Sequence, residues 1–194
     1  KLAFSAQAME LLRRETPQVL ANVTTQITGS VRELCAAAAA ECRALGYEPV
    51  LLTDQLCCEA REAGSMLASI LRTHRGDRKK LAYIAGGETV VHLTGKGLGG
   101  RNQELALAAA EGLAACRNTA IFSVGSDGPT DAAGGYCDEN TKEKLQQAGL
   151  DVYEVLKEND AYHALQKTGG LIITGATGTN VNDVAVVLIR RRFL

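Results

Sequence analysis

Residues 81–124 read LAYIAGGETVVHLTGKGLGGRNQELALAAAEGLAACRNTAIFSV. Two β-like runs, LAYIAG and ETVVHLT, flank Gly86 and Gly87, a pair that suits a hairpin or bend. A glycine-rich loop leads into RNQELALAAAEGLAA, whose Leu and Ala spacing is helical, and TAIFSV follows as a further strand. Strands alternating with helices in this way indicate an α/β layered fold. The sheet is expected to be mixed, with flanking helices, because the runs 81–94 and 170–189 can pair antiparallel.

Toward the amino terminus, residues 5–14 read as a helix that ends before Pro17, and Val23–Thr28, rich in β-branched residues, reads as a strand. Ser30 and Glu33 stand in capping-box relation at the head of an Ala-rich helix that Gly46 closes. Pro49–Thr53 has the character of a short buried strand, followed by a helix through about Arg72 and a polar, basic loop at 74–80. Beyond residue 124, helices are expected near Asp138–Ala148 and Asp160–Thr168, the second capped by Asn159. GGLIIT and DVAVVLI make the last two strands. The change of texture at Leu81 divides the chain into 1–80, the end of a Rossmann-like region, and 81–194, an α/β domain.

Bulk properties narrow the function. Lys plus Arg number 21 against 22 Asp plus Glu, so no overall field recruits nucleic acid or an acidic membrane. No apolar run approaches the length of a membrane span, and the start lacks a signal-peptide profile, so a cytoplasmic location is expected. The chain begins at Lys1 rather than Met, and an upstream portion is expected. The cysteines at 35, 42, 57, 58, 116 and 137 form no C-x-x-C pair and are expected to be small, reduced core residues. His74, His92 and His163 are isolated in sequence and are read as surface or core-edge residues.

Three loops carry the chemistry, each placed at the carboxyl end of a strand, where α/β proteins bind ligands. In TGKGLGGRNQE (94–104) glycines free the backbone N–H groups to turn toward an anion, and the helix that follows adds oriented donors. Arg101 sits in that helix's first turn, where the dipole disfavours a cation by about half a kcal/mol, so a ligand role is indicated. Lys96 and Arg101 together could clamp a phosphate or carboxylate. Gly95, Gly97 and Gly100 also match the G-x-G-x-x-G dinucleotide fingerprint, although the acidic residue expected about twenty positions on is displaced to Asp127. In GSDGPTDAAGG (125–135), Asp127 and Asp131 suit Mg²⁺ binding or acid–base work on a hydroxyl. In TGATGTNVND (174–183), Thr174, Thr177, Thr179, Asn180 and Asn182 offer neutral donors to a phosphate, a ribose or a hydroxy acid, and Asp183 could orient one of them or face a cation.

GGETVVHLTGKGLGGRNQELALAAA, GSDGPTDAAGG and TGATGTNVND occur in the order and spacing of the type-II glycerate kinases, and from Gly86 onward the chain resembles their carboxy-terminal MOFRL domain. The segment ITGSVRELCAAAAAECRALGYEPVLLTD resembles, more loosely, what precedes that domain. The resemblance implies ATP-dependent phosphorylation of D-glycerate at its 2-hydroxyl, with Mg²⁺, giving 2-phosphoglycerate. It assigns catalysis to Arg101, Asp127 and Asp131, with Asp127 also a candidate metal ligand. The candidates for substrate or phosphate binding are Glu88, Lys96, Gly97, Gly99, Gly100, Asn102, Glu104, Thr130, Thr177, Thr179 and Asn180.

Two departures stand out. The 125–135 loop is three residues shorter than the family's pattern and has one Asp fewer, and the family's amino-terminal domain, with its catalytic Lys, is not in this chain. That domain is an expected partner, and homo-oligomerisation is left open. Two other function classes remain: an NAD(P)-dependent hydroxypyruvate reductase, and a non-catalytic ligand-binding or assembly module.

Overall fold

The computed structural model describes residues 3–128 and 132–190. Its elements, in chain order, are α1 (Ala6–Arg13), α2 (Val31–Ala44), β1 (Glu48–Leu56), α3 (Ala60–His74), β2 (Leu81–Gly87), α4 (Arg101–Leu113), β3 (Thr119–Gly125), β4 (Gly134–Asp138), α5 (Thr141–Gln147), α6 (Val152–Lys157), α7 (Ala161–Thr168), β5 (Leu171–Ile172) and β6 (Asp183–Ile189). The strands form one six-stranded mixed sheet in the order β1-β2-β6-β3-β4-β5. β1 and β2 are parallel, and every other neighbouring pair is antiparallel.

Unbroken apolar runs mark strands covered on both faces, and β2 and β6 illustrate why. Successive side chains point to opposite faces, so Tyr83, Ala85, Ala185 and Val187 join Leu67, Leu71, Leu105 and Leu113 of α3 and α4 in one core. Ala82, Ile84, Val184 and Val186 face the other way and pack with Cys35 and Cys42 of α2. Residues 102–110 of α4 are all buried, which accounts for a helix apolar nearly all round. β1 lies at the sheet's edge and joins β2 across the Lys80–Leu81 junction.

Several elements differ from the sequence reading. Gly86 and Gly87 make no hairpin: β2 runs through both, in register with Val184 and Asp183. ETVVHLT contributes only a single bridge, Val90 to Glu59, and its last residue, Thr94, gives its N–H to Asn159 instead of to a neighbouring strand. Val23–Thr28 is exposed and has no strand partner among the described residues, and β-branched residues without a ladder do not make a strand. The Ser30 hydroxyl bonds the Glu33 carboxylate rather than a backbone N–H, so the capping box is not closed. β5 is limited to Leu171 and Ile172, Asp160 rather than Asn159 is the N-cap of α7, and β4 and α6 were not anticipated.

All six cysteines are free, but only Cys35, Cys42, Cys116 and Cys137 are buried; Cys57 is exposed and Cys58 partly so. Burial pushes the Cys137 thiol up to about 12. Among the described residues no helix is long and apolar enough to cross a membrane.

Candidate active site

β2, β3 and β5 point the same way, so their carboxyl ends share one edge of the sheet with the start of β6. On that edge Gly87, Asp183 and Gly125 stand side by side across β2, β6 and β3. α4 enters here by its amino terminus. Gly100, its N-cap, has no side chain with which to cap, and the first backbone bond runs from Glu104 N–H to the Gly100 carbonyl at 2.9 Å. The N–H groups of Arg101, Asn102 and Gln103 therefore have no acceptor among the described residues.

Arg101 is held in place by two carboxylates. Its Nε and Nη2 donate to the two oxygens of Asp183, with Nη2–Oδ1 at 3.3 Å, while Nη1 lies 3.3 Å from Glu88 Oε1. The Asp183 hydrogen bond raises the Arg101 pKa against the opposing effect of partial burial, and the charges of Asp183, Glu88 and Asp127 add to it. Asp183 is almost wholly buried, with 8% of its side chain exposed.

Asp127 faces the same point. A β-carbon on Gly125 would lie 3.0 Å from Asp127 Oδ1, 3.1 Å from Asp183 Oδ1 and 3.3 Å from Asn102 Nδ2. The Asn102 amide is oriented by Ser123, whose hydroxyl donates to Asn102 Oδ1 at 2.6 Å. Arg101, Asn102, Gly125, Asp127 and Asp183 line a cleft of about 310 Å³ together with Gly99, Gly100 and Tyr162. Gln103, on the same wall, donates from Nε2 to the Ala132 carbonyl at 3.1 Å and so anchors the return of the aspartate loop.

The third loop braces this cleft more than it lines it. Thr177 donates its hydroxyl to the Ser126 carbonyl and its N–H to the Asp127 carbonyl at 3.2 Å, and Val181 N–H bonds Ser126 Oγ at 2.7 Å. Thr179 and Asn180 are exposed, with Asn180 Oδ1 accepting from Asn182 N–H. Of this loop, Asp183 reaches the cleft. Thr130 and Asp131 lie outside the described residues.

The glycine-rich loop turns its amides inward rather than toward a ligand. Thr94 and Gly95 N–H donate to Asn159 Oδ1 at 2.7 and 2.8 Å, Gly97 N–H to the Glu158 carbonyl at 2.8 Å, and Leu98 N–H to Asp160 Oδ1 at 3.0 Å. Here glycine permits close approach of two chain segments: a β-carbon on Gly95 would lie 2.3 Å from backbone atoms of Glu158, and one on Gly97 2.4 Å from Asp160 Cβ. Lys96 is exposed and outside the cleft lining. The dinucleotide fingerprint is not on a tight strand-to-helix turn, because residues 88–100 intervene between β2 and α4.

Glu104 is buried beneath this loop. Its Oε2 accepts from Asn159 Nδ2 at 3.3 Å, and its Oε1 lies 3.2 Å from Arg61 Nη2, which makes Glu104 part of the support rather than of the cleft surface. Arg61 Nε is 2.8 Å from Glu59, yet Arg61 Nε and Glu104 Oε1 are misaligned for hydrogen bonding and stay unsatisfied. Burial raises the Glu104 pKa, opposed by Asn159 and Arg61. The folded state thus holds this proton more tightly than the unfolded chain does. Its contribution is fully present below the ordinary glutamate range and is lost as pH rises through the raised value. Glu104→Gln is expected to flatten this fall, measured as the melting temperature across mildly acidic to neutral pH; an unchanged slope would mean that Glu104 does not titrate in that range.

The three loops fall within one continuous segment that matches a known protein family: the MOFRL family model covers residues 81–183. This chain belongs to the MOFRL family. A D-glycerate 2-kinase of Thermotoga maritima is 46% identical over 192 residues, covering 95% of this MOFRL chain and 46% of the relative. A crystal structure of Thermotoga maritima glycerate kinase matches with a TM-score of 0.88 at 45% identity, covering 97% of this chain and 47% of that one. A relative from Agrobacterium vitis, 36% identical over 87% of this chain and 48% of its own length, bears a provisional hydroxypyruvate reductase name. The MOFRL chain spans about half the length of the curated relatives it matches.

Asn102 stood among the candidates read from the sequence, whereas its neighbour Gln103, also on the cleft wall, did not. Two amides next to an arginine in the first turn of an otherwise apolar helix mark the face turned to the cleft. Ser123, Asn159 and Tyr162 carried no comparable signal, because their roles depend on segments distant in sequence.

Proposed function

We propose that this chain supplies one wall of the catalytic cleft of a glycerate 2-kinase that transfers the γ-phosphoryl group of ATP to the 2-hydroxyl of D-glycerate. The observation that carries the reading is the convergence of Arg101, Asp127 and the opening turn of α4, with its open N–H groups, on one cleft. It is supported by the likeness to a D-glycerate 2-kinase over 95% of the chain. Phosphoryl transfer asks a protein mainly for positioning and for neutralisation of charge on the phosphate oxygens. The α4 N–H groups and Arg101 bind those oxygens, with Asp183 and Glu88 fixing the plane of the guanidinium. Asp127 accepts a hydrogen bond from the acceptor hydroxyl. As the new oxygen–phosphorus bond forms, the bond between the γ-phosphorus and its bridging oxygen breaks, ADP leaves, and the hydroxyl proton passes to the carboxylate.

Mg²⁺ fits this cleft as an ion carried by the nucleotide rather than as a resident of a protein cage. Among the described residues no three His, Cys, Asp or Glu side chains are grouped to hold an ion, and Mg²⁺ is commonly bound through one or two carboxylates plus substrate phosphates. Asp127, in the cleft lining, would hold it through the carboxylate oxygen that does not take the hydroxyl proton, and the ion would supply further charge neutralisation.

A reductase reading gains little from the geometry, since the amides of Gly95 and Gly97, which a dinucleotide pyrophosphate would need, are already bonded to Asn159 and Glu158. The opposite wall of the cleft belongs to the amino-terminal domain, so the chain 1–194 alone is expected to turn over slowly or not at all. Calorimetric titration of the full-length polypeptide carrying this chain with Mg-ATP and with D-glycerate tests the reading. Saturable binding of both, with Mg-ATP binding weakened in Arg101→Ala, is expected; enhancement of NADH fluorescence with no ATP binding would favour the reductase.

A further inference from the structure

A second cleft, about 660 Å³, adjoins the first and shares Gly99, Gly100 and Arg101 with it, so the two lie on either side of the opening turn of α4. Their walls differ in chemistry. The first carries Asp127 and Asp183 and is about half the size. The second is walled by the apolar side chains of Val90 and Leu93, 60% and 78% exposed, with Glu88 at the Arg101 end and Cys57 on its rim. Apolar clefts with a few placed polar groups are the usual form of a small-molecule site, and this volume lies within their range of about 300–1,000 Å³.

We infer that the Val90–Leu93 cleft receives the base and ribose of the nucleoside triphosphate, while the Asp127 cleft receives the hydroxy acid. The inference rests on the kinase reading and divides its site in two. The shared wall of Arg101 and the α4 N–H groups is where phosphates must lie if they are to pass from one cleft to the other. The flat apolar base needs an apolar wall, which Val90 and Leu93 offer. The ribose hydroxyls need an acceptor, and Glu88 is the carboxylate on that side. The reverse arrangement would set the base against two carboxylates and leave a small acid in the larger, apolar cleft.

Cys57 makes the assignment measurable, because it is the exposed thiol among six, while burial raises the pKa of its neighbour Cys58. Alkylation of the full-length polypeptide by iodoacetamide is followed at Cys57 by mass spectrometry, with a non-hydrolysable ATP analogue, adenosine or D-glycerate added. At ligand about tenfold above its Kd, the analogue and adenosine are each expected to slow alkylation of Cys57 by about tenfold, and D-glycerate to leave it unchanged. Val90→Asp should raise KM for ATP by about tenfold, with KM for D-glycerate changed less than about twofold.

Protection by D-glycerate alone would overturn the assignment. So would a Cys57 that is unreactive without ligand, which would mean that the rest of the polypeptide covers the cleft. Calorimetric binding of the analogue without protection of Cys57 would overturn the assignment and leave the kinase reading standing, whereas absence of nucleotide binding altogether would remove both.

Discussion

Arg101→Ala is expected to lower kcat/KM of the full-length polypeptide by about 10²- to 10³-fold, the usual scale for removing one preorganised donor to a developing charge. The side chain is fixed before any ligand arrives: Asp183 takes Nε and Nη2, Glu88 faces Nη1, and together they keep the guanidinium charged at the mouth of α4. Its removal has a second consequence. Asp183, with 8% of its side chain exposed, loses its cation, and the fold is expected to lose about 1–3 kcal/mol, less than for a fully buried pair because Arg101 itself is partly exposed. Arg101→Lys separates the two effects. It returns a cation to Asp183 without the planar fork, so stability should recover while most of the activity stays lost. Steady-state kinetics with urea unfolding of the three proteins decides the matter. Full activity in Arg101→Ala would place the phosphate elsewhere.

Gly95→Ala is expected to cost about 1–3 kcal/mol of stability, the scale of overpacking in a closely fitted site. The new β-carbon would lie 2.3 Å from Cα and the carbonyl oxygen of Glu158, backbone atoms that cannot swing aside. The loop must then part from the α6–α7 turn and loosen the bonds of Thr94 and Gly95 to Asn159. Because the loop continues into Gly99, Gly100 and Arg101, KM should rise as well. Gly149→Ala is the control. Gly149 has φ +70° but nothing within 4 Å of its β-carbon position, so only the backbone penalty of about 1 kcal/mol is expected. A loss of denaturation midpoint in Gly95→Ala no larger than in Gly149→Ala would show that the Glu158 backbone yields to the new β-carbon and that close packing does not dictate Gly95.

The contrast between these two glycines also shows what could be read from the sequence. The alternation of strands with helices and the unbroken apolar run of DVAVVLI follow from local pattern, because one element's period decides them. β4 and α6 escaped that pattern, and Val23–Thr28 and most of ETVVHLT read as strands that do not form. Arg101 at the head of α4 was legible for the same reason: a cation set against a helix dipole is a local anomaly. The purpose of Gly95 and Gly97 was not legible. A glycine that exposes its amide to a ligand and one that admits a neighbouring backbone look alike in sequence, and only the position of Glu158 and Asp160 tells them apart. Glu104 misled in a similar way, since its partners Arg61 and Asn159 are 43 and 55 residues away (104 − 61 and 159 − 104). Asp183 was noticed as a residue that could face a cation, but its partner, Arg101 on α4, is 82 residues distant in the chain.

The central claim is that Arg101 and Asp127 lie in the cleft of an enzyme that phosphorylates D-glycerate on its 2-hydroxyl. Phosphorus NMR of the full-length polypeptide incubated with ATP, Mg²⁺ and D-glycerate tests it most directly. The account predicts resonances of ADP and 2-phosphoglycerate growing together, both greatly slowed in Arg101→Ala and Asp127→Asn. Phosphorylation at another hydroxyl, or ATP left intact while hydroxypyruvate is reduced by NADH, would contradict it.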